Sequence, residues 1–288
     1  MIETKDTIKK KINTAVKLQT IIKSMKMMSF VQINQYNKAS EGMNFYAKNI
    51  IDGLRIYLIN KGFQSKDTIP NNKKKSLYIF IGTDQGLVGN FNQLVINEEK
   101  KINPEQRANA RYLIYGKSLY ARFTEKDKVV DFYKMPTNIK SVVKVAEDIV
   151  LRLRDEYEKG VENVYLVYNK KKDNVMLETI TEKVFPLDEE FLSRISKKKW
   201  KRGQIPMIVG NKKDNYKALV RQYIFVEIYK ILINSLLAEH FNRTMLLDRS
   251  EKNVKEQIEQ MSKVQQEKRQ EEITNELLDI VAGRLGDE

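Results

Sequence analysis

The sequence predicts an α/β protein in which long N- and C-terminal helices pair as an antiparallel coiled coil around an inserted α/β domain. Three observations predict it. All five prolines, Pro70, Pro104, Pro136, Pro186 and Pro206, lie between positions 70 and 206, leaving the first 69 and the last 82 residues without one. Glycine is absent before Gly42 and again between Gly210 and Gly283, a 72-residue stretch without either strong helix breaker. Between these ends, β-prone runs alternate with helix-like ones. The implied boundaries are 1–69 for the N-terminal coiled-coil helix, 70–210 for the inserted domain and 211–288 for the C-terminal coiled-coil helix.

The N-terminal helix follows from apolar residues at Ile8, Ile12, Ala15, Leu18, Ile22, Met25 and Met28, a narrow stripe at helical spacing. In the middle, Ser76 to Ile81, Arg111 to Tyr115, Val129 to Tyr133 and Val161 to Tyr168 read as strands. Helix-like stretches at Phe91 to Ile102, Ser118 to Thr124 and Ile139 to Lys159 separate them. That order builds βαβ units and a small, mostly parallel, Rossmann-like sheet. Asn174 to Val184 adds a strand that pairs with Val161 to Tyr168 as a hairpin across Lys170 to Asn174. The last helix is expected from about Tyr216 to Leu285, on the order of 100 Å at 1.5 Å per residue. Its first part is apolar at 12 of the 16 positions from Tyr223 to Ala238 and needs packing on several sides. Its later part, Asp248 to Glu272, is charged at 13 of 25 positions, with Val254, Ile258, Met261 and Val264 as its large apolar residues. So thin a seam fits one partner helix.

Composition excludes several chemistries. With no cysteine there is no disulfide framework, thiolate metal site or thiol nucleophile, and the single His240 rules out multi-histidine metal sites. No apolar run reaches the ~18 residues of a membrane span, and Met1 to Lys11 lacks the apolar block of a secretory signal. A cytoplasmic location follows, compatible with a membrane-bound complex. The net charge of +14 is uneven: residues 1–69 carry 12 basic against 5 acidic side chains, residues 211–288 carry 13 against 14. Pairing the two ends relieves self-repulsion and leaves a basic surface for an acidic partner.

Candidate sites are few. Gly82 to Asn92 lies between a strand and a helix, where phosphate loops occur, but lacks both the three-glycine dinucleotide pattern and the terminal Gly-Lys-Ser/Thr of a Walker loop. A structural turn, with Asp84 bonding backbone amides, is the favoured reading. His240, beside Glu239 and one turn before Arg243, reads as a packing residue. Lys197-Lys198-Lys199-Trp200-Lys201-Arg202 interleaves an aromatic with cations, so a basic nucleic-acid-binding coiled coil is one alternative. An α/β enzyme with helical arms, binding substrate near Asp84, is another.

Four ordered motifs narrow the choice. Ile22-Lys23-Ser24-Met25-Lys26-Met27-Met28-Ser29 resembles the N-terminal signature of the gamma subunit of F-type ATP synthases. Ile273-Thr274-Asn275-Glu276-Leu277-Leu278-Asp279-Ile280-Val281-Ala282-Gly283 is similar to that family's most diagnostic segment, with Asp279 in place of Glu. Asp84 to Asn92 is similar to its Asp-Arg-Gly-Leu-Cys-Gly-Gly-Phe-Asn, with Gln85 for Arg and Asn90 for one Gly, and Ala238-Glu239-His240 with Arg243 to Leu246 resembles its Ser-Glu-His and Arg-Met. The resemblance spans essentially the whole chain, is weakest from about 100 to 210, and offers no counterpart for Lys197 to Arg202.

The resemblance implies a non-catalytic rotor shaft that turns in a hexamer of alpha and beta subunits and couples rotation to ATP synthesis or hydrolysis and, in a synthase, to proton translocation. It implies Lys23, Met25, Lys26, Arg243, Gln270, Thr274 and Glu276 as residues that contact the catalytic subunits and transmit torque. It implies Ile273, Leu277, Ile280 and Val281 as the apolar tip of the shaft. No catalytic, cofactor or metal residue is expected on this chain; ATP, ADP and magnesium belong to the partner subunits. Further partners implied are an epsilon subunit and a membrane ring, on the inner face of the cell membrane. A gamma-like shaft that drives a different load is the alternative within the family.

Overall fold

A computed structural model describes residues 5–61, 75–173, 176–198, 200 and 203–285, with backbone alone for Lys61 and 279–285. The two ends form α1 (Lys5–Lys61) and α7 (Lys212–Leu285), of 57 and 74 residues. Between them come β1 (Lys75–Ile81), α2 (Phe91–Glu99), α3 (Pro104–Ala108), β2 (Ala110–Tyr115), α4 (Lys117–Arg122), β3 (Val129–Tyr133), α5 (Ile139–Glu158), β4 (Val161–Lys171), β5 (Leu177–Phe185) and α6 (Glu189–Lys197). The expected fold class is therefore observed: long terminal helices packed together, with an inserted α/β sheet. The expected boundary at 69 and 70, together with Asn174, Lys199, Lys201 and Arg202, lies outside the described residues. No described helix is long and apolar enough to cross a membrane.

The described residues fall into two compact units, one within 1–30 and 243–288, the other 31–242. In the larger, the sheet order is β3-β2-β1-β4-β5. The first four strands are parallel and β5 runs antiparallel to β4, Tyr168 opposite Ile180. Central β1 is buried from Ser76 onward because helices cover both of its faces. On one face Leu77, Ile79 and Ile81 pack with Val142, Ala146 and Ile149 of α5 and with Ile228, Leu232 and Leu236 of α7. On the other, Tyr78 and Phe80 pack with Val95, Ile96 and Leu119. α5 starts where it does because Asn138 Oδ1 accepts from Ser141 N at 2.9 Å while Ser141 Oγ accepts from Asn138 N at 3.0 Å, a reciprocal cap. Its apolar positions then recur every three or four residues, from Val142 to Leu153.

Within this unit the same two helices also meet each other. Leu54, Tyr57 and Leu58 of α1 pack with Leu192 and Ile195 of α6 and with Tyr216 and Leu219 of α7, and the Tyr57 and Tyr216 rings stack at 4.7 Å. Two short helices, α3 and α6, escape the sequence reading. α6 is specified by Asp188, whose carboxylate accepts from Glu190 N at 3.1 Å, and by Leu192 and Ile195 alone as its buried residues. Nine residues with two buried side chains give too little periodicity to detect.

Candidate functional site

In the smaller unit, α1 and α7 pair antiparallel, and ion pairs fix their register. Lys5 Nζ lies 2.6 Å from Glu272, and Lys26 bonds Glu251 and, at 3.2 Å, Asp248. Lys5 to Lys26 ascends 21 residues while Glu272 to Glu251 descends 21, so both helices advance in step. A seam of covered positions runs through Lys5, Ile8, Ile12, Ala15, Gln19, Ile22, Lys26 and Ser29 on α1 and Leu247, Glu251, Val254, Ile258, Met261, Gln265 and Lys268 on α7, with Met25, Asp248, Ser250 and Ser262 half-buried at its margin. Both series alternate steps of three and four, the 3.5-residue repeat of a two-helix coil.

That repeat corrects the stripe expected from apolar spacing alone. Leu18, Met28 and Val264 are exposed, and their places in the seam go to Gln19, Ser29 and Gln265. A strict heptad keeps facing its partner; a stripe that follows every apolar residue drifts off it. Leu18 and Met28 fall instead on a second line. Leu18, Ile21, Met25 and Met28 also step by three, four and three, along the flank of α1, with Leu18, Ile21 and Met28 all about half or more exposed. The composition of the stripe hid this line, although its phase is legible in the spacing.

The structure distributes the expected contact residues unevenly. Lys26 is largely covered: hydrogen bonds first to Glu251, then to Asp248, raise its ammonium pKa, and the Lys26 bond in turn lowers that of Asp248. Lys23 is exposed, with Glu251 at 4.0 Å, and Met25 is half-buried beside it. Arg243 is buried at the start of this unit's stretch of α7. Gln270, Thr274 and Glu276 are exposed, and Thr274 Oγ1 donates to the Gln270 carbonyl at 2.8 Å, satisfied within its own helix. Every described side chain from Gln270 to Leu278 is exposed, Ile273, Leu277 and Leu278 among them. Ile280 and Val281 continue the helix, but their side chains lie outside the described residues. The structure thus gathers Lys23 and Lys26 on Glu251 and Asp248, and sets the described side chains from Gln270 to Leu278 apart as an exposed surface beyond the described seam.

The turn at Asp84, in the larger unit, is occupied by its own bonds. Asp84 Oδ1 accepts from Lys117 N at 2.7 Å and Oδ2 from Met135 N at 3.0 Å, tying the ends of β1, β2 and β3 together. Asn92 Oδ1 accepts from Thr83 N at 3.0 Å. A Cβ on Gly82 would stand 2.5 Å from Leu119 Cβ, and Gly116, at φ +119°, passes so close that a Cβ would meet Thr83 N at 2.7 Å. The Val88 carbonyl accepts from Asn242 Nδ2 at 2.6 Å. The loop is a buckle whose carboxylate, with the Thr83 amide and the Val88 carbonyl, is spent on the fold. His240 packs at 5.7 Å from the Tyr36 ring, and Trp200 carries the Arg55 guanidinium at 5.0 Å over its ring, so this aromatic is engaged internally.

Comparison with known proteins bears on this shaft. A family model described as ATP synthase matches residues 4–284. The chain is 25% identical to the ATP synthase gamma chain of Clostridium kluyveri over 284 residues, covering 96% of each. It is 28% identical to that of Sulfurihydrogenibium sp. (strain YO3AOP1) over 286 residues, covering 95% of each. Its fold is similar to a chain in the cryo-EM structure of the Euglena gracilis mitochondrial ATP synthase (OSCP/F1/c-ring, rotational state 3), with TM-score 0.66, 14% identity, and 98% of this chain and 94% of that one covered.

Proposed function

The chain belongs to the ATP synthase gamma family, the non-catalytic central-stalk rotor subunits of F-type ATP synthases, and from that premise we propose how its residues carry torque. The paired ends turn inside a hexamer of alpha and beta subunits, which hold ATP, ADP and magnesium; this chain binds none of them. One observation carries the reading: α7 continues past Glu272, the last ion-pair position among the described residues, with Ile273, Leu277 and Leu278 exposed. An apolar helix end without a helical partner is stable when another protein encloses it. Ile280 and Val281 extend that tip, and a collar around it acts as the bearing.

Below the tip, Leu18, Ile21, Met25 and Met28 offer an apolar flank to the surrounding subunits, while Lys23 presents charge. Lys26 joins α1 to α7 and keeps the two from sliding under load; Gln270, Thr274 and Glu276 meet the catalytic subunits at successive heights, while Arg243, buried within the chain, supports that surface from inside. Because these contacts cover one side of the shaft at each height, they bind the open and closed states of the three catalytic sites unequally. Rotation then shifts each site in turn, since a ligand moves an equilibrium by its differential affinity for the two states. An epsilon subunit and a membrane ring pass rotation to proton flow, with the complex on the inner, cytoplasmic face of the cell membrane.

The test is affinity purification of the tagged chain from its own cells in mild detergent, with stoichiometry of everything retained. Three alpha and three beta subunits per copy, with a ring and an epsilon subunit, is the expected result. The head without a ring points to a paralogue that drives another load, and loss of the head overturns the shaft reading.

A further inference from the structure

In the larger unit, a cavity of about 330 Å³ lies between α5 and the first turns of α7, adjoining a second of about 260 Å³. Val150, Leu151 and Arg221 line both. Its floor is apolar, formed by Val161 and Val164 of β4 with Phe185 and Ile224. On its lip, Leu151 and Tyr157 are more than half exposed, an arrangement that a folded chain leaves unfavourable unless something covers it.

Charge around the lip has one dominant sign. Arg154, Lys217 and Arg221 all line the groove. Lys217 and Arg221 are one helical turn apart on exposed α7 and form no ion pair among the described residues. Arg154 reaches Glu158 at 3.5 Å, but with both side chains mostly exposed this pair is weak and easily exchanged. Glu147, at the far end, is the one carboxylate lining the second cavity. The groove runs from Tyr157 and Tyr216 to Glu147 and Phe225, ten residues of α5, or about 15 Å at helical rise. Two antiparallel helical walls of that length accept about three turns of a third helix, whose apolar residues at i, i+3 or i+4 and i+7 reach the floor.

We propose that this groove docks an amphipathic helix of a partner protein, with its apolar face on Leu151, Tyr157 and Phe185 and its carboxylates on Arg154, Lys217 and Arg221. The surface is distinct from the coiled-coil seam and from the exposed tip.

The chain has no cysteine, so Leu151→Cys carries a single photoactivatable benzophenone in the full-length protein within its native complex, and exposure of Leu151 makes the change compatible with folding. After irradiation, mass spectrometry identifies the adduct. An adduct on a helical segment of another subunit, with acidic residues beside an apolar stripe, is the expected result. Reversing Arg154 and Arg221 together to Glu should lower its yield on the order of tenfold, with retention of the head subunits unchanged. An adduct on lipid, on a second copy of this chain or on a basic segment, or no adduct on any polypeptide, overturns the proposal. So does a yield indifferent to the double reversal. Head retention reports separately on the shaft reading, so the two ideas fail independently.

Discussion

The two units of this chain use the same pair of helices in opposite ways. In the larger, α7 is buried on several sides: Val226, Ile228, Leu232, Ile233 and Ala238 are all inaccessible, with Ile228, Leu232 and Ile233 in the sheet core and Ala238 against Val88 and Phe91. In the smaller, the same helix has Leu247 as its one fully covered large apolar residue among those described, and the seam includes Glu251, Gln265 and Lys268. A side chain fully withdrawn from water contributes about 1.5 to 3 kcal/mol, so stability per residue is concentrated in the larger unit. The smaller is held by register and by a few ion pairs. This suits a body that must stay rigid and a shaft that other proteins are to complete.

The sharpest way to break the comparison is to charge the sheet core. Leu113→Asp, at a position 1% exposed in β2, should cost more than about 4 kcal/mol and abolish cooperative melting of the larger unit. Native-like melting by calorimetry would show that the sheet is not the stable body it is taken for. Next in size is Leu277→Pro. Proline in a helix interior costs about 3 kcal/mol, yet no described seam lies there to be lost. The isolated chain should melt unchanged, while the assembled ATPase loses coupling of hydrolysis to rotation. A coupled Leu277→Pro complex would remove the tip from the mechanism.

A smaller change sharpens the contrast. Ile8→Ala, at one of the few fully covered apolar positions of the smaller unit's α1, should cost about 2 kcal/mol, the low end for such a truncation, and act locally. Hydrogen exchange should accelerate in 5–30 and 243–272 and stay unchanged in β1 and β4. Equal acceleration in the sheet would mean that the units unfold as one.

What could be read from the sequence follows the same division. Strands buried on both faces announce themselves as apolar runs, and Leu77 to Ile81 and Val164 to Tyr168 were legible for that reason. The breaker-free ends were equally plain. The seam was harder: Ile8, Ile12, Ala15 and Ile22 satisfy both an apolar stripe and a heptad, and the two diverge between and after them, toward Leu18 and Met28 or toward Gln19 and Ser29. Choosing between them needs the partner helix, because a polar residue takes a seam position when the opposing helix offers it contact. The resemblance supplied the contact residues, whereas the groove beside Leu151 is invisible in sequence, since it depends on the angle at which α5 meets α7.

The smallest expected effect tests whether ions, more than burial, hold the shaft. Lys26, by its hydrogen bond first and its charge after, lowers the Asp248 pKa below its ordinary 3.8, and Glu251 then Asp248 raise that of Lys26 above 10.5. A carboxyl lowered on folding adds stability that is present above 3.8 and lost as pH falls through its folded value. An ammonium raised on folding adds stability that is present below 10.5 and lost as pH rises through its folded value. Pairing of the two helices should therefore be flat from about pH 5 to 10 and loosen outside that window, detectably by hydrogen exchange in 5–30. Alkali does not discriminate between the units, because the buried Tyr36 phenol of the larger one, its pKa pushed up to about 12 by desolvation, also loses folded stability as pH rises past 10. The acid limb does. Asp248→Asn should flatten it in the smaller unit and leave the sheet untouched, and added salt should shrink it, since the Asp248 carboxylate is solvent-exposed. An acid limb that survives both Asp248→Asn and salt would assign the register to the apolar layers at Ile8, Ala15 and Leu247, and the clasp at Lys26 would be an ornament of the seam instead of its lock.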